Sequence, residues 1–203
     1  MTLPEKIAAL AESTVATLKQ TDYQHVDHID VAAGIYDCDC NGFVHFVLTG
    51  TVPENAKLIP QEAGQSRPRA FEYYDFFAAR TPESPGGWHR IDFLKDARRG
   101  DIIAWRWPTI EPHQDTGHVV IVAETPTMDD VGIFSVQVYD SAAAVHFDDT
   151  RGPGAGQFPT GVGSGVIKFK VDGAGRPMAY LFSPPDSAQF SYRPIAIGRA
   201  EPL

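Results

Sequence analysis

The chain has 203 residues, 43% hydrophobic and 21% charged, which is enough for one globular domain with its own core and short for two. Its formal charge of −9 sets an acidic surface against phosphate backbones and anionic lipid, so neither nucleic acid nor a membrane surface is expected as a partner. No stretch approaches the roughly 20 apolar residues of a membrane span.

Thr2-Leu3-Pro4-Glu5 reads as a helix start, with Thr as cap, Glu three residues later and Pro in the first turn. Ile7, Leu10, Ala11, Thr14 and Leu18 recur at helical spacing and predict an amphipathic helix over 4–20. The start lacks the basic residues and unbroken apolar run of a secretory leader, so a cytoplasmic location is expected. Residues 21–37 read as irregular, and Gly34 breaks the approach to Cys40. Cys40, Phe43, Val44, Val47 and Leu48 fall on one helical face and predict a second helix, stopped by Gly50 and Pro53. A loop is expected over 51–66, then an aromatic-rich helix over 67–80 carrying Phe71, Tyr74 and Phe77, then a Pro- and Gly-rich loop.

The second half reads as strands: Ile102–Trp107, His118–Ala123, Ile133–Asp140, Val166–Val171, Met178–Phe182 and Ile195–Gly198. The Gly-rich stretch 151–165 reads as a loop. Helices followed by five or six antiparallel strands predict an α+β fold. With no repeat and no clear linker, 1–203 is expected to form one domain, with 51–95 a helical and loop insertion and 148–203 supplying C-terminal strands.

Cys38 and Cys40 are separated by one residue, so a mutual disulfide would be strained, and no second cysteine pair completes a zinc site. No metal or organic cofactor is expected. Cys40 opens its helix on the core-facing side, where free N–H groups and the helix dipole favour a thiolate and can hold an oxyanion. Gly42 permits close approach of another backbone or a substrate. The bland alternative is a small buried hydrophobe. Cys38 reads as packing, or as a thiol able to resolve an oxidised Cys40.

A thiol nucleophile needs a base. Among seven histidines, His118 stands out, because it follows Gly117 and begins the apolar run Val119-Val120-Ile121-Val122. The alternative is a strand-end histidine bonded to a nearby carbonyl. His45 lies off the apolar face of its helix and is expected to face solvent, while His25 and His28 read as loop residues. The spacing His113-x-Asp115-x-x-His118 has metal-ligand character, but in a loop it is nonspecific. Asp140 continues the inward face of Phe134, Val136 and Val138, where a carboxylate needs a partner such as protonated His118. A cap on a Ser141-Ala142 turn explains it equally well, and Ser141 and His146 are weaker alternatives for orienting the base.

Three segments together resemble the NlpC/P60 superfamily of papain-like cysteine hydrolases. Asp39-Cys40-Asn41-Gly42-Phe43-Val44 is similar to its nucleophile motif, with Asn41 where serine is usual. Arg99-Gly100-Asp101-Ile102-Ile103-Ala104-Trp105 is similar to its Gly-Asp strand, and Thr116-Gly117-His118-Val119-Val120-Ile121-Val122 to its base motif. The resemblance implies a papain-like fold with N-terminal helices on an antiparallel sheet. It implies Cys40 as nucleophile, His118 as base and Asp140 as the orienting residue, where His, Asn or Gln is commoner. Tyr23, or else Tyr36, would help build the oxyanion site, with Asn41 and Trp105 as further oxyanion or substrate candidates. The implied chemistry is amide hydrolysis through a thioester, on a peptide or peptidoglycan-fragment substrate. Acyl transfer from the same thioester and a non-catalytic binding module are the alternatives. Trp88, Trp105 and Trp107 read either as a substrate groove or as core and rim. Phe71, Tyr73, Tyr74, Phe76 and Phe77 read either as a lid or as packing.

Overall fold

Apolar side chains alternate along the central strands so that both faces of one large antiparallel sheet are buried. In the computed structural model the described residues are 1–83, 86–111, 114–152, 158–183 and 189–203. Helix α1 (Leu3–Thr17) is closed by the expected capping box, in which Glu5 N–H donates to Thr2 Oγ1 and Thr2 N–H donates to Glu5. It buries Ile7, Ala8, Ala11 and Thr14. The stretch read as irregular contains a hairpin, β1 (His28–Asp30) and β2 (Ile35–Asp37), too short for its alternation to register in sequence. Helix α2 (Cys40–Thr51) runs through Gly50 and stops before Pro53, whose own short helix α3 (Pro53–Ala56) lies in the expected loop. Helix α4 (Ala70–Ala78) is the aromatic segment.

The remaining strands are β3 (Trp88–Ile91), β4 (Ile102–Arg106), β5 (Gly117–Val122), β6 (Thr127–Met128), β7 (Phe134–Ala142), β8 (Gly161–Val171), β9 (Pro177–Leu181), β10 (Ser191–Tyr192) and β11 (Ile195–Ala200). They form a nine-stranded sheet in the order β10-β9-β8-β7-β5-β4-β11-β3, with β6 added alongside β7. Five or six strands were expected. All six predicted strands are present, and β3, β6 and β10 are additional, each four residues or shorter. The architecture is mixed α+β around a large antiparallel sheet. Among the described residues no helix is long and apolar enough to cross a membrane.

Ile102, Ala104, Val119 and Ile121 face the helices and pack with Phe43, Val44 and Val47 of α2 and Tyr73 and Phe77 of α4. The odd-numbered neighbours on β4 and the even-numbered ones on β5, namely Ile103, Trp105, Val120 and Val122, face the other way. That second face is covered by the short 3-10 turn Leu94–Asp96 and by the curl of the sheet itself. The rings of Trp105 on β4 and Tyr180 on β9 lie 4.3 Å apart although three strands separate theirs in the sheet order. Cys40 ends up against one face of β5, and the row containing His118 belongs to the other.

Candidate active site

Asp39 fixes the head of α2. Its Oδ1 accepts from the Gly42 N–H at 2.9 Å and from the Arg67 guanidinium at 2.9 Å, and its Oδ2 lies 3.1 Å from His25 Nδ1. Arg67 also donates to Asp27 at 2.8 Å, so one buried cation ties the helix head to the segment before β1. A Cβ at Gly42 would fall 2.3 Å from the Asp27 carboxylate and 2.9 Å from the Cys38 Cβ. The close approach that Gly42 permits is therefore to the protein's own chain, not to a substrate.

Cys40 stands at the floor of a cleft of about 480 Å³ lined also by Tyr23, Asn41, Arg67, Asp115 and Thr116. Only 2% of it is exposed. The sulfur donates towards Asn41 Oδ1 at 3.6 Å and takes a hydrogen bond from the Val119 backbone N–H. Burial pushes the thiol well up, the Asp39 carboxylate adds to that, and the Val119 N–H opposes it. The thiolate expected at a helix head is therefore outweighed, and the resting group is a thiol. Cys38 is fully buried with its own thiol raised by burial, and it takes no part in the cleft.

His118 is held in place by β5. Gly117, at φ 133°, starts that strand so close to β4 that a Cβ would fall 2.0 Å from the Trp105 carbonyl oxygen. The imidazole Nε2 donates to Asp140 Oδ2 at 2.6 Å. Trp105 lies against one side of the ring with centroids 5.2 Å apart, and Phe182 meets it edge-on at 5.0 Å. This bond uses Nε2 and leaves Nδ1 as the nitrogen able to take a proton. Among the described residues the Cys40 sulfur has its hydrogen bonds with Asn41 and Val119, the residue after His118, rather than with the imidazole.

Asp140 is fully buried and lies within β7, which continues through Ser141 and Ala142, so it caps no turn there. Its Oδ2 faces His146 Nε2 at 2.9 Å as well as His118, and Oδ1 accepts from Arg151 at 2.9 Å. Burial alone would raise this carboxyl, but His146 and Arg151 beside it hold it well below the usual range. Arg151 in turn grips Asp149 with two bonds of 2.8 and 2.9 Å and donates to the Gly161 carbonyl at 2.7 Å. Ser141, a weaker candidate for orienting the base, donates instead to the Cys38 carbonyl at 2.6 Å, which ties β7 to the approach to Cys40.

The stretch read as a glycine loop from 161 onward is the start of β8, paired along its length with β7. Its glycines make room for the ion cluster. A Cβ at Gly163 would fall 2.7 Å from Arg151 Nε, and one at Gly165 2.7 Å from the His146 Cβ.

Of the oxyanion and substrate candidates, Tyr23 and Asn41 line the cleft. Burial, reinforced by Cys40 and Asp39, raises the Tyr23 phenol, so it remains a hydrogen-bond donor. Tyr36 is in the core against Phe46 with centroids 5.6 Å apart, because β2 turns it inward. Trp105, like His118, lies outside the cleft lining, and at 1% exposure it packs against the imidazole and is closed to a substrate. Tyr73, Phe76 and Phe77 are buried and packed with Trp88, so they are core, while Phe71 and Tyr74 are only partly buried. His45 is half-buried, with its proton affinity lowered by burial and by Arg67, so it is not the solvated residue expected. His113 lies outside the described residues. A different set of ligand types, His118, Asp140 and His146, has its donor atoms within 4.8 Å of one another. The guanidinium of Arg151 on the same carboxylate fits an ion cluster better than a metal site.

His146, Arg151 and Arg67 carry much of this arrangement. Sequence spacing gave His146 a reserve place and gave the two arginines none, since neither belongs to a motif. No family model matches the chain, and neither the curated proteins nor the solved structures give a match.

Proposed function

We propose that the protein is a cysteine hydrolase that cleaves an amide bond in a peptide-like substrate. The observation that carries this reading is the 2.6 Å bond from His118 Nε2 to Asp140, which leaves Nδ1 free on the residue adjoining the Val119 N–H that touches the Cys40 sulfur. Acyl transfer through sulfur requires a thiol at a helix head and, within its reach, a base whose tautomer is fixed. The cleft lining of Asp39, Glu62, Arg67, Arg69, Glu111 and Asp115 suits a polar, peptide-like chain better than an apolar acyl group.

In this reading His118 Nδ1 takes the thiol proton as the sulfur bonds to the substrate carbonyl carbon. The Cys40 backbone N–H and the Tyr23 hydroxyl receive the oxyanion. The C–N bond breaks as the leaving amine takes the proton from His118, and a thioester remains. Water then gives a proton to His118 and its oxygen bonds to the carbonyl carbon. The C–S bond breaks, and sulfur recovers the proton. The mechanism requires the imidazole to reach the sulfur once substrate is bound.

A binding module that keeps the cleft without the chemistry is the second reading. The protonated resting thiol and the absence of a sulfur–imidazole bond among the described residues favour it. Intact-mass measurement of iodoacetamide adducts on the full chain separates the two. Selective adduct formation at Cys40, lost in His118→Ala, supports hydrolase chemistry. Slow and equal labelling of both cysteines, unchanged in His118→Ala, would overturn it. Product analysis on short peptides with and without an added amine then distinguishes hydrolysis from acyl transfer.

A further inference from the structure

The hydrogen bonds of His146 have only one consistent assignment of protons. Its Nδ1 lies 3.1 Å from the Phe182 carbonyl oxygen and its Nε2 lies 2.9 Å from Asp140 Oδ2. Both partners are acceptors. A neutral imidazole has one N–H and one lone pair, so either tautomer would point a lone pair at an oxygen. Asp140 does not resolve the conflict by carrying the proton itself, because Arg151 sits on its other oxygen at 2.9 Å and His118 already donates to Oδ2.

Charge balance agrees with that assignment. The cluster holds two carboxylates, Asp140 and Asp149, with side chains 0% and 3% exposed. Arg151, 2% exposed, supplies one positive charge. With both imidazoles neutral, two carboxylates against one guanidinium would leave one net negative charge among buried groups. A protonated His146 makes the cluster electroneutral, which is the arrangement a buried ion group needs.

We infer that His146 is a positioning residue, an imidazolium protonated on both nitrogens, which shares Asp140 with His118 and so fixes the tautomer of the base. The purpose assigned to it rests on the hydrolase reading above; its protonation does not. Asp140, Asp149, Arg151 and His118 are the titratable or charged groups facing it, and the β8 backbone opposite contributes Gly165. With Asp140 already receiving N–H groups from His146 and Arg151, less of its negative charge is left to attract a second proton to His118. The base therefore remains neutral, with Nδ1 available, at the pH where it must accept the thiol proton. When it does so, the added charge is matched by the new thiolate.

The test uses the full chain labelled with 15N-histidine. In the wild-type protein both His146 ring nitrogens are expected to show protonated shifts about two pH units above the ordinary histidine value of ~6.5. A lone-pair-bearing nitrogen on His146 under those conditions would overturn the assignment, and this measurement needs no variant. In His146→Gln an amide N–H can still reach Asp140 but the charge is gone. The His118 titration midpoint is then expected to rise by about 1 pH unit. An unchanged midpoint in folded His146→Gln would refute the positioning role. If His146 proves doubly protonated yet Cys40 and His118 show no chemistry, the hydrolase reading fails and the cluster assignment stands.

Discussion

Arg151→Met replaces a buried guanidinium by an apolar chain of similar length and isolates the energetics of the ion cluster. Four hydrogen bonds are lost: two to Asp149, one to Asp140 and one to the Gly161 carbonyl. His146 would then face two carboxylates alone. Removing one partner from a buried ion group costs about 3–5 kcal/mol, because the other is left uncompensated. For a chain of this size each kcal/mol lowers Tm by about 2–4 °C, so a drop of about 6–20 °C is expected. Calorimetry gives Tm, and urea unfolding with an unchanged m-value shows that the loss is in stability. Adding Asp149→Asn restores charge balance and is expected to recover about half of the loss, a coupling expected only of neighbours. The exposed pair Lys57–Glu54 supplies the control, and Lys57→Met is expected to leave Tm unchanged. An Arg151→Met protein within about 2 °C of wild type would refute the claim that this cluster is a closed, balanced ion group.

Asp39→Asn removes the carboxylate that helps keep Cys40 protonated and frees the Arg67 charge, so the pH limb of iodoacetamide alkylation is expected to move to lower pH. A limb that stays in place would show that burial alone sets the thiol. Tyr23→Phe removes the hydroxyl assigned to the oxyanion and is expected to lower kcat about a hundredfold with KM little changed; an equal rise in KM alone would assign Tyr23 to binding instead. Gly163→Ala drives a Cβ into Arg151 and is expected to cost about 1–3 kcal/mol in urea unfolding, while Gly173→Ala, with nothing within 4 Å of the added carbon, is expected to be neutral. Because the folded Asp140 carboxyl lies well below its ordinary value, its contribution is fully present above about pH 4 and is lost as pH falls towards the folded value. Urea midpoints across that range should fall in the wild type, and the fall should be shallower in Asp140→Asn.

The elements legible in sequence were those with a long period or a local cap. The α1 start follows from Thr2 and Glu5, and the α2 face from Cys40 to Leu48, because both signals lie within one or two helical turns. Of the central strands, β5 showed through its continuous apolar run and β7 through its alternation. Strands β3, β6 and β10 span two to four residues and offer too little alternation to register. The pair His118 and Asp140 was legible because each ends an apolar row facing the same way on strands that are neighbours in the sheet. Tyr36 and Trp105 were misplaced for the converse reason. Being near a motif residue in the chain says nothing about face, and one step along a strand moves a side chain to the opposite side of the sheet.

The glycines of β8 show how the unreadable part of the site is nonetheless written in the chain. Glycine weakens a strand and by composition alone reads as loop, yet Gly161, Gly163 and Gly165 pair with Ala142, Asp140 and Val138 on β7. At Gly163 and Gly165 the missing side chains would occupy space filled by Arg151 and His146. The same row of absent Cβ atoms therefore removes the strand signal and admits the two cations that balance Asp140 and Asp149. A glycine at every second position is thus the mark of something packed on that face of a strand. Here that is the charge cluster to which His118 is bonded through Asp140, and any change that refills the row should displace Arg151 or His146.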